Sequence, residues 1–193
     1  CGATGNVFKF IMDYENISFM EAVKLVASKG GIDIDVASIK PKKIVNNELY
    51  EMYDIARKFY QNNINSDYGK QAKSYLAERQ IDEEIIKEFG IGLSLIKNDI
   101  LTNLFLKKEY KNEDILKSGL VIQGKSGFHD IYINRIMFPL TNLEGKTVGF
   151  SGRIYNNEDM SKYINTKETE IFKKGELLYN YHRAKDECRL KQT

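Results

Sequence analysis

IYINRIMFPLTNLEGKTVGFSGRIY, residues 131–155, decides how this chain folds. Up to this point apolar residues recur at helical spacing. Here the period changes: IYINRIMFPL (131–140) and TVGFSGRIY (147–155) are rich in β-branched and aromatic residues and read as strands. The intervening NLEGK fits a hairpin loop. KYINT (162–166) reads as a third, short strand, and LLYNYHRAKDEC (177–188) returns to helix.

Working back from the hairpin, the chain is helical. Leu49, Met52, Tyr53, Ala56, Phe59 and Tyr60 form one stripe, predicting a long helix over 48–64. A second helix runs to about Arg79 with Ala72 and Leu76 inward. Asp82 caps a short helix carrying Ile85, Ile86 and Phe89, which Gly-Ile-Gly stops. Asn98 and Asn112 begin two more, and Gly119 closes the last. At the front, Asn6 caps a helix with Val7, Phe10, Ile11 and Tyr14. Ser18 and Glu21 then make a capping box for a second helix that Gly30-Gly31 ends. Residues 35–47 lose periodicity, contain Pro41 and read as a linker. The fold class is therefore α+β: N-terminal helices, then a small antiparallel sheet with flanking helices.

The 193 residues suffice for one large domain or two small ones. No stretch approaches the ~18 uninterrupted apolar residues of a membrane span, and no secretory signal is visible. Cys1 and Cys188, at opposite ends, give no disulfide framework, so a reduced cytoplasmic chain is expected. A start at Cys1 rather than Met points to a piece of a longer protein. The net charge is +2, but it is uneven: residues 119–185 hold ten Lys/Arg against seven Asp/Glu. That bias permits anion binding.

GLVIQGKS (119–126) matches the phosphate-binding loop formula. The chemistry needs a flexible loop between a strand and a helix. Here Leu-Val-Ile-Gln is itself strand-like and GFHDIYIN follows, so the segment reads as a strand entering a Gly-Lys-Ser-Gly turn. Asp33 and Asp35 have no third carboxylate nearby in sequence, which favours a surface pair over a metal site. His129 and His182 are far apart and lack cysteine partners, so neither zinc ligation nor a triad is supported.

The basic set remains. Arg135 interrupts an otherwise apolar strand, which is costly unless it has an anionic partner. Arg153 follows the glycine pair of GFSGR. Lys162, Asn165 and Lys174 come soon after. Lysines offer point charges to phosphates, arginines a bidentate fork, and asparagine an amide for a base or sugar. Tyr163 is placed to stack on an unpaired base, worth ~1–3 kcal/mol in such sites.

The order YLAERQIDEEIIKEFGIG (75–92), RIMFPL (135–140), GKTVGFSGR (145–153), KYINT (162–166) and IFKKGELLYN (171–180) resembles bacterial replicative DNA primase. The opening CGATGNVFKFIMDYENISFMEAVKLVA is similar to the end of that family's zinc-binding domain. The resemblance implies three segments: residues 1–34 as the remnant of the zinc-binding domain, 35–47 as linker, and 48–193 as the basic N-terminal subdomain of the RNA polymerase core. By motif position it gives Arg79, Arg153, Lys162, Asn165 and Lys174 to template or nucleotide binding, with Arg135 a weaker candidate that fits a structural ion pair equally well. It makes Cys1 a zinc ligand whose three partners would lie upstream. It places the Mg or Mn site in a Toprim part downstream, so no metal is expected bound to this piece. The implied partners are a single-stranded DNA template, an RNA primer, ribonucleotides and, through a further domain of the parent, the replicative helicase at the fork. The piece alone is expected not to polymerise. Two other classes compete: a non-catalytic module that binds single strands, and a helical interaction domain. The second leaves the clustered cations unexplained.

Overall fold

The computed structural model describes residues 6–32, 47–156 and 161–190, with side chains as far as residue 185. The chain divides into two compact units, 1–44 and 45–193. In the first, α1 (Val7–Glu15) starts where Asn6 Oδ1 accepts from the Lys9 amide at 3.0 Å and ends at Asn16, which takes a left-handed φ of 51°. In α2 (Phe19–Lys29) both capping-box bonds form: Glu21 N–H donates to Ser18 Oγ at 3.3 Å, and Ser18 N–H donates to Glu21 Oε2 at 2.8 Å. Ala22 and Ala27 are the buried residues of this helix pair. Cys1, Asp33, Asp35 and most of the expected linker lie outside the described residues.

The second unit is built on α3 (Asn47–Ile64), whose stripe of Leu49, Met52, Tyr53, Ala56 and Tyr60 is buried as the spacing requires. It continues through α4 (Lys70–Ala77), α5 (Glu83–Phe89), α6 (Ile100–Lys107), α7 (Asn112–Lys117) and, at the far end, α8 (Tyr181–Leu190). The strands are β1 (Gly92–Leu93), β2 (Val121–Gly124), β3 (Gly127–Asp130), β4 (Ile136–Thr141), β5 (Thr147–Arg153) and β6 (Tyr163–Asn165). One antiparallel sheet has the order β1-β4-β5-β6; β2 and β3 form a separate hairpin.

α3 covers one face of the sheet. The Phe150 ring stacks on Tyr53 at 5.8 Å and meets the edge of Tyr60 at 5.2 Å. Each such pair is worth about 0.5–1.5 kcal/mol beyond the area it buries. Two of the hydroxyls in this layer are paired, while the buried Tyr60 Oη has no hydrogen-bond partner. Tyr53 Oη donates to the Ser118 carbonyl at 2.6 Å, and Tyr132 Oη bonds the Phe150 carbonyl and Thr166 Oγ1. The other face is covered only in part. α4 and α5 bury Leu76, Ile86 and Ile91 against Leu93 and Ile136. Phe138 and Leu140, further along β4, stay half-buried.

Two glycines of β5 let side chains press in from opposite sides. A Cβ on Gly152 would sit 2.7 Å from the Tyr132 ring on the covered face. One on Gly149 would reach Leu140 at 3.4 Å and the Phe172 ring at 3.5 Å on the other.

Three sequence expectations change. Residues 131–135 are not strand: the Asn134 φ is +51° and the chain turns before β4 begins at Ile136. The last helix starts at Tyr181, not Leu177, leaving 177–180 outside it. The helix expected from Asn98 starts at Ile100, and its neighbouring cap residue Asp99 makes no side-chain cap bond. Asp130, 28 residues on from Thr102, serves instead. Its carboxylate accepts from Leu101 N–H at 2.9 Å, Thr102 N–H at 2.8 Å and Thr102 Oγ1 at 2.6 Å. A buried carboxylate at a helix N-terminus satisfies amides that otherwise lack partners. Asp130→Ala is expected to cost about 1–3 kcal/mol, read as a lower denaturant midpoint with unchanged m-value.

Candidate nucleic-acid interface

The strand register builds the site. On the open face Arg153 of β5 lies opposite both Ile136 of β4 and Tyr163 of β6. Ser151 lies opposite both Phe138 and Asn165. Opposed residues of an antiparallel sheet share a face, so this row sets an arginine, a tyrosine, a serine, an asparagine and a phenylalanine side by side. The long loop after β6 brings Phe172, Lys174, Leu177 and Tyr179 over the same face; α4 supplies Tyr75, and Arg79 follows just past the end of that helix. Together they line a groove of about 660 Å³.

Tyr75 organises the cations. The Arg79 guanidinium lies 3.6 Å from the centroid of its ring and donates to the Tyr75 carbonyl at 3.1 Å. Arg153 approaches the same ring at 5.6 Å and donates from Nε to Tyr75 Oη at 2.8 Å. The Arg153 guanidinium also donates to Tyr163 Oη and lies 5.1 Å from the Tyr163 ring. Tyrosine faces and hydroxyls hold the two guanidiniums without neutralising them. Arg79 faces Glu78 at 3.8 Å, but both side chains are exposed, and a pair of that kind is worth ~0–1 kcal/mol. Lys174 opens the turn Lys174–Glu176, its backbone amide held by Glu168 Oε1 at 3.1 Å. No aspartate or glutamate lines the groove among the described residues.

Five of the seven residues singled out in the sequence therefore meet here: Arg79, Arg153, Tyr163, Asn165 and Lys174. Lys162 is exposed just before β6, its carbonyl accepting from the Ile154 amide at 3.1 Å, and it does not line the groove. Arg135 requires a correction. It is 1% exposed, inside the fold. Its Nη1 donates to the Ser161 carbonyl at 2.9 Å and the Gly152 carbonyl at 3.2 Å. These carbonyls are among its partners, and it does not line the groove. Tyr75 is a site residue that residue type alone does not single out: it stands in α4, and Arg79, two residues past the end of that helix, lies over its ring.

The other sequence candidates separate. His129 contacts Ser126 Oγ through Nε2 at 2.9 Å and Asn98 through Nδ1 at 3.2 Å, tying together the β2–β3 hairpin and the segment before α6. The GLVIQGKS segment is β2 and its turn, with no helix after it. His182 bonds Thr141 Oγ1 at 2.8 Å. Burial, then the nearby Arg183 and Lys185, hold its pKa below the usual histidine value. Among the described residues no three His, Cys, Asp or Glu side chains gather as metal ligands would. No helix among them is long and apolar enough to cross a membrane.

Comparison with known proteins places this geometry. The family described as DNA primase catalytic core, N-terminal domain, matches residues 59–185, and the CHC2 zinc finger matches residues 1–42. The chain is 37% identical over 191 residues to a DNA primase of Lactococcus lactis, covering 96% of this chain and 30% of that protein. It is 35% identical over 208 residues to a DNA primase of Enterococcus faecalis, covering 100% of this chain and 33% of the relative. It thus spans about a third of the length of these relatives. Among solved structures, the RNA polymerase domain of Mycobacterium tuberculosis primase DnaG in complex with double-stranded DNA superposes with a TM-score of 0.70 at 30% identity, over 74% of this chain and 46% of that one. The DnaG primase catalytic domain bound to ssDNA gives 0.64 at 30% identity, over 72% and 43%. The Aquifex aeolicus primase, with its zinc-binding and RNA polymerase domains, gives 0.68 at 27% identity, over 99% and 46%. With its α+β core, its cationic groove and the motifs that line it, the chain belongs to the bacterial DNA primase family, residues 59–185 matching the N-terminal domain of its catalytic core.

Proposed function

We propose that this chain supplies the template- and nucleotide-holding surface of an enzyme that makes short RNA primers on single-stranded DNA. The observation that carries the reading is the convergence of Arg79, Arg153 and Lys174 with Tyr163 and Asn165 on one open sheet face, with no carboxylate among the described residues that line it. In the reaction proposed for the parent, a 3′-hydroxyl attacks the α-phosphate of an incoming ribonucleotide and pyrophosphate leaves. The groove cations hold the strand and the phosphates in place for that attack. In this reading the part of this chain is binding and orientation, and the divalent metals belong to another part of the parent. We assign residues 1–34 to the end of a zinc-binding domain, 35–47 to a linker, and 48–193 to the basic subdomain. The parent would act in the cytoplasm at the replication fork, with zinc, Mg or Mn, and a helicase partner engaged through its other parts.

Fluorescence anisotropy with a labelled oligothymidylate tests this. Three cations on phosphates predict that log K falls with log salt at a slope of about −2. Arg79→Ala, Arg153→Ala and Lys174→Ala combined should flatten that slope while the circular dichroism spectrum is kept. Affinity that does not change with salt contradicts an electrostatic groove. The chain alone, given nucleotides and magnesium, should bind the strand and synthesise no primer.

A further inference from the structure

Holding a DNA backbone needs cations on a surface. This groove has, in addition, an apolar floor. Phe138 and Leu140 of β4 lie half-buried on the sheet face, and Phe172 closes over them against Gly149. Leu177, in the segment that is not helical, forms the far wall. Ser151 and Asn165 are the polar side chains next to Phe138 in the sheet row.

The dimensions and chemistry narrow the occupant. A groove of about 660 Å³ has room for a nucleobase. The walls are aromatic and aliphatic, which suits a flat, unstacked ring. The cations sit on the groove's walls, so the ring must carry an anionic tail. A hydroxyl and a carboxamide lie where donors and acceptors on the ring's edge would meet them. A nucleotide within a strand has all three features. An acidic peptide lacks the flat polar-edged ring, and a fatty chain has no use for the amide.

Resting on the reading of the groove as a DNA-strand site, we infer that one base of the bound strand leaves the stack and inserts between Phe138, Leu140, Phe172 and Leu177, with its edge towards Ser151 and Asn165. The groove then binds base as well as phosphate. Its affinity divides into a salt-dependent part from the cations and a base-dependent part that salt does not screen.

The test compares two oligothymidylates of equal length, one with abasic residues through its central positions, titrated over a series of salt concentrations. Both carry the same phosphates, so their salt slopes should be equal. The intact strand should bind about tenfold more tightly at every salt concentration. Ser151→Phe, which fills the floor from a half-buried sheet position, should shrink the difference between the intact and the abasic strand. Because that side chain faces the groove, the substitution does not touch the covered core; equal melting temperatures confirm it. Equal binding of the two strands by the unaltered chain would overturn base insertion while leaving the cationic groove standing. So would Ser151→Phe with no effect on the difference. No binding of either strand would remove both proposals.

Discussion

Arg135→Ala is expected to lower the melting temperature by roughly 10 °C. The side chain is 1% exposed and bridges the carbonyls of Gly152 and Ser161. Truncation leaves those acceptors without this donor and opens a hole beside Tyr132, at a cost of about 3–5 kcal/mol. For a unit of this size each kcal/mol moves the midpoint by about 2–4 °C. Calorimetry checks it. The truncated protein, kept well below its midpoint, should bind oligothymidylate as the unaltered chain does, because the residue does not reach the groove. A stable Arg135→Ala protein that has lost strand binding would reverse this assignment.

Arg153→Ala should do the opposite. Its recorded partners are the rings and hydroxyls of Tyr75 and Tyr163 at the groove surface. Removing it takes away one phosphate contact and releases both tyrosines. Binding of a single strand should weaken about tenfold, and the salt slope should shrink by about 0.7. The melting temperature should fall by no more than about 3 °C. Arg153→Lys keeps the charge but not the fork or the stacking, so it should recover the slope and only part of the affinity. A collapsed melting curve for Arg153→Ala would make the residue a structural one.

Set together, these two arginines show how far the letters carry. Both follow apolar or small residues in a strand, and both looked like candidates for the same surface. What separates them is parity within the sheet. Gly152 and Phe150 face α3, and Arg153 faces the groove. Arg135 stands just before β4, where the left-handed Asn134 turns the chain and directs the side chain inward. A pattern of types does not reveal that turn. Local devices were legible: Asn6, the Ser18–Glu21 box and the Asp82 cap all form as their spacing requires. The hairpin of β4 and β5 was also visible. The capping of α6 by Asp130 was not, because that bond spans 28 residues and only the folded chain brings its ends together. The two-residue β1 was hidden too: Gly-Leu after a helix stop carries no period to detect. Of the groove, the charged residues stood out by type. The floor did not, since Phe138, Leu140 and Phe172 read as ordinary core until the fold sets them along the groove.

The sequence contains no tryptophan, and Tyr163 is 48% exposed at the wall of the groove, its ring against Arg153. An indole placed at that position would be the sole emitter excited at long wavelength. Its brightness and colour would then report a passing strand directly, with no dye attached to either molecule.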